Sequence, residues 1–276
     1  MKPLRLALVT RRFWPLVGGA EVVMANLAAE FRNQGHAATI VTAQWEKHWP
    51  RDLVHREVPV VRLPQSKLRT WGTLRYMYAL GSWLFERRPN LDGVLVSMLK
   101  HDAYAAIGAL RGSGLPVVVR AEGGGPAGDC TWQATARFGM RIRRRCREAD
   151  AIVAPSDAIG EELLAAGYDR AKIKRIDNGV RLPPPRAPLS REAARAALAD
   201  ANWDLKCEPD APVAVYTGRL HPDKGLLDLV QAWPAVAKRW PHARLWLIGE
   251  GPQREDLFQR ISDLDFRYQI CLPGSF

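Results

Sequence analysis

At 276 residues the chain is longer than most single hydrophobic cores and fits two domains. Hydrophobic residues make up 47% and charged residues 25%, the balance of an ordinary soluble globular protein, which excludes disordered and fibrous classes. A formal net charge of +11 favours anionic partners without choosing among nucleotides, nucleic acid and anionic membrane surfaces.

The four cysteines, at 130, 146, 207 and 271, form no CxxC pair and point to a reduced, cytoplasmic protein without a disulfide frame or zinc site. The six histidines form no HxxH or HExxH pattern, so no metal site is expected. No apolar run approaches the ~20 residues of a spanning helix. The N-terminus turns basic at Arg11-Arg12 after one short apolar run and makes a poor signal peptide.

In chain order, Leu4–Val9 reads as a buried strand, and Val17-Gly18-Gly19-Ala20-Glu21 opens a helix whose apolar face runs Ala20, Val23, Met24, Leu27, Ala28, Phe31 and stops near Gly35. Ala38–Ala43 is the next strand. The glycine pair Gly18-Gly19 lets a phosphate-bearing ligand approach the helix start, or else serves only a tight turn. It is no dinucleotide fingerprint, because G-x-G-x-x-G is missing and Thr42 stands where an acid would grip a ribose. Further strands are expected at Val58–Leu63, Gly93–Val96, Pro116–Arg120, Ala151–Ala154 and Lys172–Ile176. Helices are expected near Leu68–Arg87, Ala103–Leu110, Ala134–Ala149 and from Ser156, as N-cap, to Ala166. Nearly unbroken apolar strands alternating with helices predict an α/β fold with a parallel sheet covered on both faces. Ligands of such sheets sit at the carboxyl ends of the strands, which here carry Thr10-Arg11-Arg12, Ser97 to His101 and Arg120-Ala121-Glu122-Gly123-Gly124-Gly125. Glu122, at the lip of the last of these, and His101 are candidates for acceptor binding or proton handling, against the reading of each as a solvated or internally satisfied polar residue.

Two stretches could lie on anionic lipid: the cationic helix Arg137–Arg147, and the aromatic-rich Lys67–Arg88 with cations at both ends. Both could equally be sheet-covering helices with a solvated outer face. The proline run within Arg181–Pro188 marks the domain boundary, since such a run continues neither a helix nor a sheet interior. The expected layout is an N-terminal domain over 1–182, a linker with a short Ser190-capped helix over 183–210, and a second, partial α/β domain over 211–276. The second domain reads as strand Val213–Thr217, helix Leu226–Lys238, strand Leu245–Ile248, helix Gln253–Leu264 and strand Ile270–Leu272, with Pro234 expected to kink or shorten its first helix.

Between the first strand and helix of that domain lies Gly218-Arg219-Leu220-His221-Pro222-Asp223-Lys224-Gly225. A helix start offers free N–H groups and a partial positive charge. Arg219 and Lys224 add two full charges, and the flanking glycines allow close approach. The set suits a phosphate or diphosphate, with a solvated surface loop as the bland alternative.

These pieces, together with Gly18-Gly19-Ala20-Glu21, Ala154-Pro155-Ser156, Asp177-Asn178-Gly179-Val180, Thr217-Gly218-Arg219-Leu220, Asp223-Lys224-Gly225 and Leu247-Ile248-Gly249-Glu250-Gly251-Pro252, resemble family 4 of the retaining glycosyltransferases. They fall in family order over nearly the whole chain. The resemblance implies a GT-B fold: two Rossmann-like domains facing a cleft, a glycan or lipid acceptor on the first, and a nucleoside diphosphate sugar mostly on the second. It assigns Gly18, Gly19, Arg219 and Lys224 to the donor diphosphate, and Arg219 and Lys224 to its stabilisation as it departs. Glu122 joins them as a candidate catalytic residue and His101 as an acceptor contact. No metal and no cofactor are implied, because the cations and the helix dipole stabilise the leaving group.

Two departures accompany the resemblance. The family commonly carries a histidine where Glu122 stands. Its second domain also continues for roughly a hundred more residues, a usual domain's worth, and holds an E-x7-E motif that 226–276 lacks. A full acceptor domain and part of a donor domain are therefore expected, with an uncovered sheet edge that a partner chain could protect. The expected activity is metal-independent, retaining transfer of a sugar to an alcohol, with a non-catalytic or split-enzyme binding module as the alternative. The expected location is the cytoplasm, with peripheral contact to the inner membrane face. Asp263-Leu264-Asp265 is set aside as a metal-binding D-x-D, since residues two apart on a helix do not share a face. Nucleic-acid binding has no recognition module to support it.

Overall fold

The computed structural model describes residues 2–16, 18–66, 69–180 and 189–275. The proline-rich boundary at 181–188 lies outside the described residues, as do Val17, residues 67–68 at the expected helix start, and Phe276. The chain divides into two compact units, Met1–Leu182 and Pro183–Phe276.

The first unit runs β1 (Arg5–Val9), α1 (Gly19–Asn33), β2 (Ala37–Gln44), β3 (Asp52–His55), β4 (Val58–Pro64), α2 (Arg69–Arg87), β5 (Gly93–Ser97), α3 (His101–Leu110), β6 (Val117–Arg120), α4 (Asp129–Thr135), α5 (Gly139–Cys146), β7 (Ala151–Ala154), α6 (Asp157–Ala165) and β8 (Ile173–Arg175). The strands form one sheet in the order β3-β4-β2-β1-β5-β6-β7-β8, parallel throughout except for β3 against β4. Alternate residues of the central strand face opposite sides. Ala7 and Val9 meet a core built with Tyr76, Leu80 and Leu84 of α2, Ala103 and Ile107 of α3 and Ile142 of α5. Leu8 meets Met24, Ala25 and Ala28 of α1 on the other side. Strand order reverses between β1 and β5, and a doubly wound sheet opens its ligand crevice there, at the carboxyl ends.

The structure adds one element to those expected and splits another. The stretch Gln44–Arg56, unreadable in the sequence, contains β3, joined to β4 by the two-residue turn Arg56-Glu57. Both turn residues have positive φ, 49° and 65°, the geometry of a tight hairpin, but neither is the glycine or asparagine that advertises one. The single helix expected over Ala134–Ala149 is two, α4 and α5. Ala136 is extended (ψ 144°), and a side chain at Gly139 would come within 2.1 Å of the Gln133 carbonyl, so the break packs backbone on backbone.

The second unit contains α7 (Arg191–Ala201), β9 (Val213–Thr217), α8 (Leu226–Arg239), β10 (Arg244–Ile248), α9 (Arg254–Asp263) and β11 (Ile270–Gly274). Its three parallel strands run β11-β10-β9, and Leu245 and Leu247 pack under Leu226, Val230 and Trp233 of α8 and Leu257 and Ile261 of α9. Ser190 caps α7 by accepting from the Ala193 amide at 3.1 Å. The stretch expected as a linker packs into this unit: Arg195 donates to the Glu208 and Ala211 carbonyls, Asn202 donates to the Pro273 carbonyl at 3.2 Å, and Leu205 is fully buried. Pro234 neither ends nor shortens α8, which continues to Arg239. The flanking Val230, Trp233 and Ala237 are buried, and this packing carries the helix past the missing N–H.

Candidate functional site

At the carboxyl edge of the first unit, α1 begins at Gly19, with Gly18 as an extended N-cap that has no side chain to satisfy the free amides. The Glu21 carboxylate folds back to within 2.5 Å of where a Gly18 side chain would stand, whereas among the described residues nothing lies within 4 Å of the corresponding point on Gly19. A ligand can therefore reach the start of α1 at Gly19, and the local carboxylate there belongs to a flexible side chain.

Across the strand-order reversal, the loops after β1 and β5 build a polar cluster that the sequence reading named only as loop ends. The Arg11 guanidinium stacks 4.3 Å from the Tyr76 ring and donates to Gln65 Oε1 at 2.9 Å, Thr73 Oγ1 at 3.3 Å and Asp102 Oδ1 at 3.4 Å. Its carbonyl accepts from Trp45 Nε1 at 3.0 Å and Thr42 Oγ1 at 3.3 Å, so Thr42 braces this loop. Asp102 is buried, and burial outweighs Arg11 and pushes its carboxyl up to about 6. His101 starts α3 beside it, edge-on to Trp132 at 5.2 Å. Burial, then the charges of Arg11 and Lys100, lower its pKa, so the imidazole is neutral at pH 7. Among the described residues it makes no hydrogen bond or ion pair.

Glu122 is not at an open lip. Its side chain is 9% exposed and forms an ion pair with Arg120, itself 5% exposed, while Ser97 Oγ donates to its other oxygen at 2.8 Å. Arg120 also donates to Asn178, and the Glu122 amide donates to buried Asp129 at 2.9 Å. Burial raises the Glu122 pKa against the pull of Arg120 and Ser97. The three glycines after it form a turn braced by Glu162, which accepts from the Gly125 amide at 2.7 Å. The structure thus places Glu122 inside a paired network spanning the ends of β5, β6 and β8.

In the second unit, the loop Gly218–Gly225 leaves β9 and is held by its backbone. The Gly218 amide donates to the Ile248 carbonyl at 3.0 Å, and the Leu220 amide to that of Glu250 at 2.9 Å. Leu220 is fully buried beneath the loop. Residues 222–224 make one 3-10 turn, and Gly225, left-handed at φ 64°, opens α8. A side chain on Gly249 would stand 1.8 Å from the Gly218 carbonyl, and one on Gly251 2.1 Å from that of Leu220. The loops after β9 and β10 therefore touch main chain to main chain. Arg219 and Lys224 are exposed on this rigid support, and among the described residues neither side chain has a hydrogen-bond or ion-pair partner. His221 meets its own neighbour, with Nδ1 3.1 Å from Asp223 Oδ2. The expected cations thus stand free at the start of a 14-residue helix.

Among the described residues no group of His, Cys, Asp and Glu is placed to hold a metal ion, and no helix is long and apolar enough to cross a membrane.

The sequence profile of Glycosyltransferase Family 4 matches residues 17–182, and that of the Glycosyl transferases group 1 matches 211–274. The chain is 27% identical to a GDP-mannose-dependent alpha-mannosyltransferase of Mycobacterium tuberculosis over 266 residues, 92% of this chain and 64% of that protein. It is 33% identical to sulfoquinovosyl transferase SQD2 of Arabidopsis thaliana over 134 residues, 48% of this chain and 24% of the relative. Its fold matches that of Anabaena Alr3699/HepE, solved in complex with UDP-glucose, with a TM-score of 0.71 at 17% identity, covering 99% of this chain and 69% of that one. Sucrose-phosphate synthase from Thermosynechococcus elongatus matches with a TM-score of 0.74 at 17% identity, over 99% and 71% of the two chains.

Proposed function

The chain belongs to glycosyltransferase family 4, and from that premise we propose that it moves a sugar from a nucleoside diphosphate sugar to a hydroxyl of a glycan or lipid, with retention and without a metal. The observation that carries this reading is the pair of cations, Arg219 and Lys224, unpartnered among the described residues, on a backbone-braced loop at the start of α8. When the bond from the anomeric carbon to the diphosphate oxygen breaks, negative charge gathers on the departing phosphate. The guanidinium, the ammonium and the free amides of α8 are fixed before the reaction and bind the more highly charged leaving diphosphate more strongly than the less negative diphosphate ester it comes from. They supply the positive charge that a divalent ion would otherwise bring. The acceptor oxygen attacks the face the diphosphate leaves, and its proton passes to the leaving phosphate oxygen, so the anomeric configuration is kept.

The relatives' names support the substrate classes. One is GDP-mannose-dependent, one is a sulfoquinovosyl transferase, and a third, from Rhizobium meliloti, is a lipopolysaccharide core biosynthesis glycosyltransferase. On the first unit, neutral His101 offers an unbonded ring nitrogen to an acceptor hydroxyl. The open approach at Gly19 admits an anionic group to the α1 amides.

Calorimetric titration with UDP, GDP and ADP tests the loop. Lys224→Ala or Arg219→Ala each removes one charge-assisted contact and is expected to weaken the best-bound nucleotide about 10- to 100-fold. Unchanged affinity in both variants would remove the assignment. NMR of the product's anomeric proton tests retention, and undiminished turnover in EDTA tests metal independence.

A further inference from the structure

Helix α2 is apolar on two opposite sides. Tyr76, Leu80, Trp83 and Leu84 face the sheet and are buried. On the far side, Trp71 (69% exposed), Leu74 (52%), Tyr78 (78%) and Phe85 (52%) follow at helical spacing and fall within one narrow stripe. Four large apolar side chains on the solvent face of one helix exceed the scattered exposure normal for a surface. Among the described residues no element covers them, and the core side of α2 is already filled.

The surroundings of the stripe are cationic. Arg75 stands beside it, exposed and without a partner among the described residues, and Arg88 stacks 3.6 Å from the Phe85 ring. Glu86, at the end of the helix, faces Arg87 at 3.9 Å. Helix α3 lies between α2 and α5, and its partly exposed residues Tyr104, Ala105, Gly108 and Ala109 carry no charge. Beyond it, α5 exposes Arg141 and Arg144, and the turn leading into it exposes Arg137 and Phe138. Tyr104 of α3 is stacked by Arg145 at 4.8 Å. The outer layer α2-α3-α5 is therefore one surface of exposed aromatics, small residues and arginines.

We propose that this surface seats the first unit on an anionic lipid bilayer, with Trp71, Leu74 and Tyr78 entering the headgroup region and Arg75, Arg141 and Arg144 meeting lipid phosphates. Tryptophan and tyrosine suit that depth, having an apolar body and a polar tip. Charge decides the occupant: a bilayer with anionic headgroups complements arginines spread over a broad surface. The N-terminal half of α2 also reaches the candidate acceptor region, through the opposite face of the helix: Thr73 and Tyr76 contact Arg11 beside His101. Seated this way, the first unit would meet its acceptor at the membrane surface. This deepens the reading of a lipid-borne acceptor, and lipid binding is measured with no nucleotide sugar present, so either can fail without the other.

The test is flotation of the full chain with phosphatidylcholine vesicles, with and without phosphatidylglycerol. Binding is expected only with the anionic lipid and is expected to weaken as salt is raised. Trp71→Ser with Leu74→Ser and Tyr78→Ser should lower vesicle affinity at least about tenfold, and Arg75→Gln about fivefold, at unchanged thermal midpoint. Trp71→Phe should still bind but lose much of the tryptophan quenching by brominated lipid, a readout that a folding defect does not imitate. Three outcomes would each overturn the proposal: no binding to anionic vesicles, equal binding by the triple variant, or a dimer that dissociates in the triple variant while vesicles are ignored.

Discussion

Replacing Glu122 by glutamine separates a structural role from a chemical one. The side chain is nearly enclosed, with Arg120 paired to one oxygen and Ser97 bonded to the other at 2.8 Å. Glutamine keeps the shape and can keep the bond to Ser97, but it leaves the buried guanidinium with Asn178 as its remaining side-chain acceptor. Breaking a buried pair by removing one partner costs about 3–5 kcal/mol, because the other charge stays desolvated. Burial raises the Glu122 pKa, so desolvation outweighs the attraction felt by the carboxylate itself, and the expected loss, set by leaving Arg120 desolvated with one acceptor fewer, falls to about 2–4 kcal/mol. For a unit of this size that is a fall in thermal midpoint of roughly 5–15 °C. Urea unfolding and calorimetry of Glu122→Gln measure it, and Arg120→Met combined with Glu122→Gln should recover much of the loss. A stability change under about 0.5 kcal/mol, accompanied by lost turnover, would refute this reasoning and return Glu122 to the chemistry.

Asp102 gives a pH dependence. Its folded pKa is raised from 3.8 to about 6, so the folded chain holds this proton more tightly than the unfolded chain does. Its contribution to stability is therefore full below about pH 4 and is lost as the pH rises to about 6, a change of about 3 kcal/mol that Asp102→Asn should abolish in urea titrations across that range. Gly249→Ala must move backbone, since its Cβ would stand 1.8 Å from the Gly218 carbonyl at φ 147°. It is expected to destabilise the second unit by more than about 3 kcal/mol, read from its unfolding transition, and to weaken nucleotide binding with it. Pro234→Ala should raise stability by about 1–3 kcal/mol, because it restores a helix N–H within α8 and removes the ring.

What the sequence revealed and what it hid divide along a physical line. The β-α-β alternation was legible because strands buried on both faces, such as Leu6–Val9 and Val94–Val96, must be apolar without interruption, and each following helix must bury a stripe. Caps at Ser156 and Ser190 were legible because one local amide–hydroxyl bond sets them, at 3.2 Å and 3.1 Å. The β3 hairpin was hidden because Arg56 and Glu57 hold positive φ without the residues that usually do so. The break between α4 and α5 was hidden because Gly139 is required by contact with Gln133, a constraint invisible in helical periodicity.

The same line runs through the candidate site. The loop around Arg219 and Lys224 is made by its own backbone, by glycines and by the start of one helix, so its form follows from a few consecutive residues. The first-unit cluster is made by partners far apart in the chain: Arg11 meets Asp102 across 91 positions and Arg120 meets Asn178 across 58. A charged residue ending a buried strand was the one available signal, since Arg120 closes an otherwise apolar β6 and must find an acceptor or unfold it. Read that way, the strand itself calls for a carboxylate nearby, and Glu122, two residues on, answers it. Position beside glycines at a strand end thus marks where a ligand can come close. The pairing of the charges already there decides which of them are left to meet it, and by that measure Arg219, Lys224 and His101 are available while Glu122 is engaged.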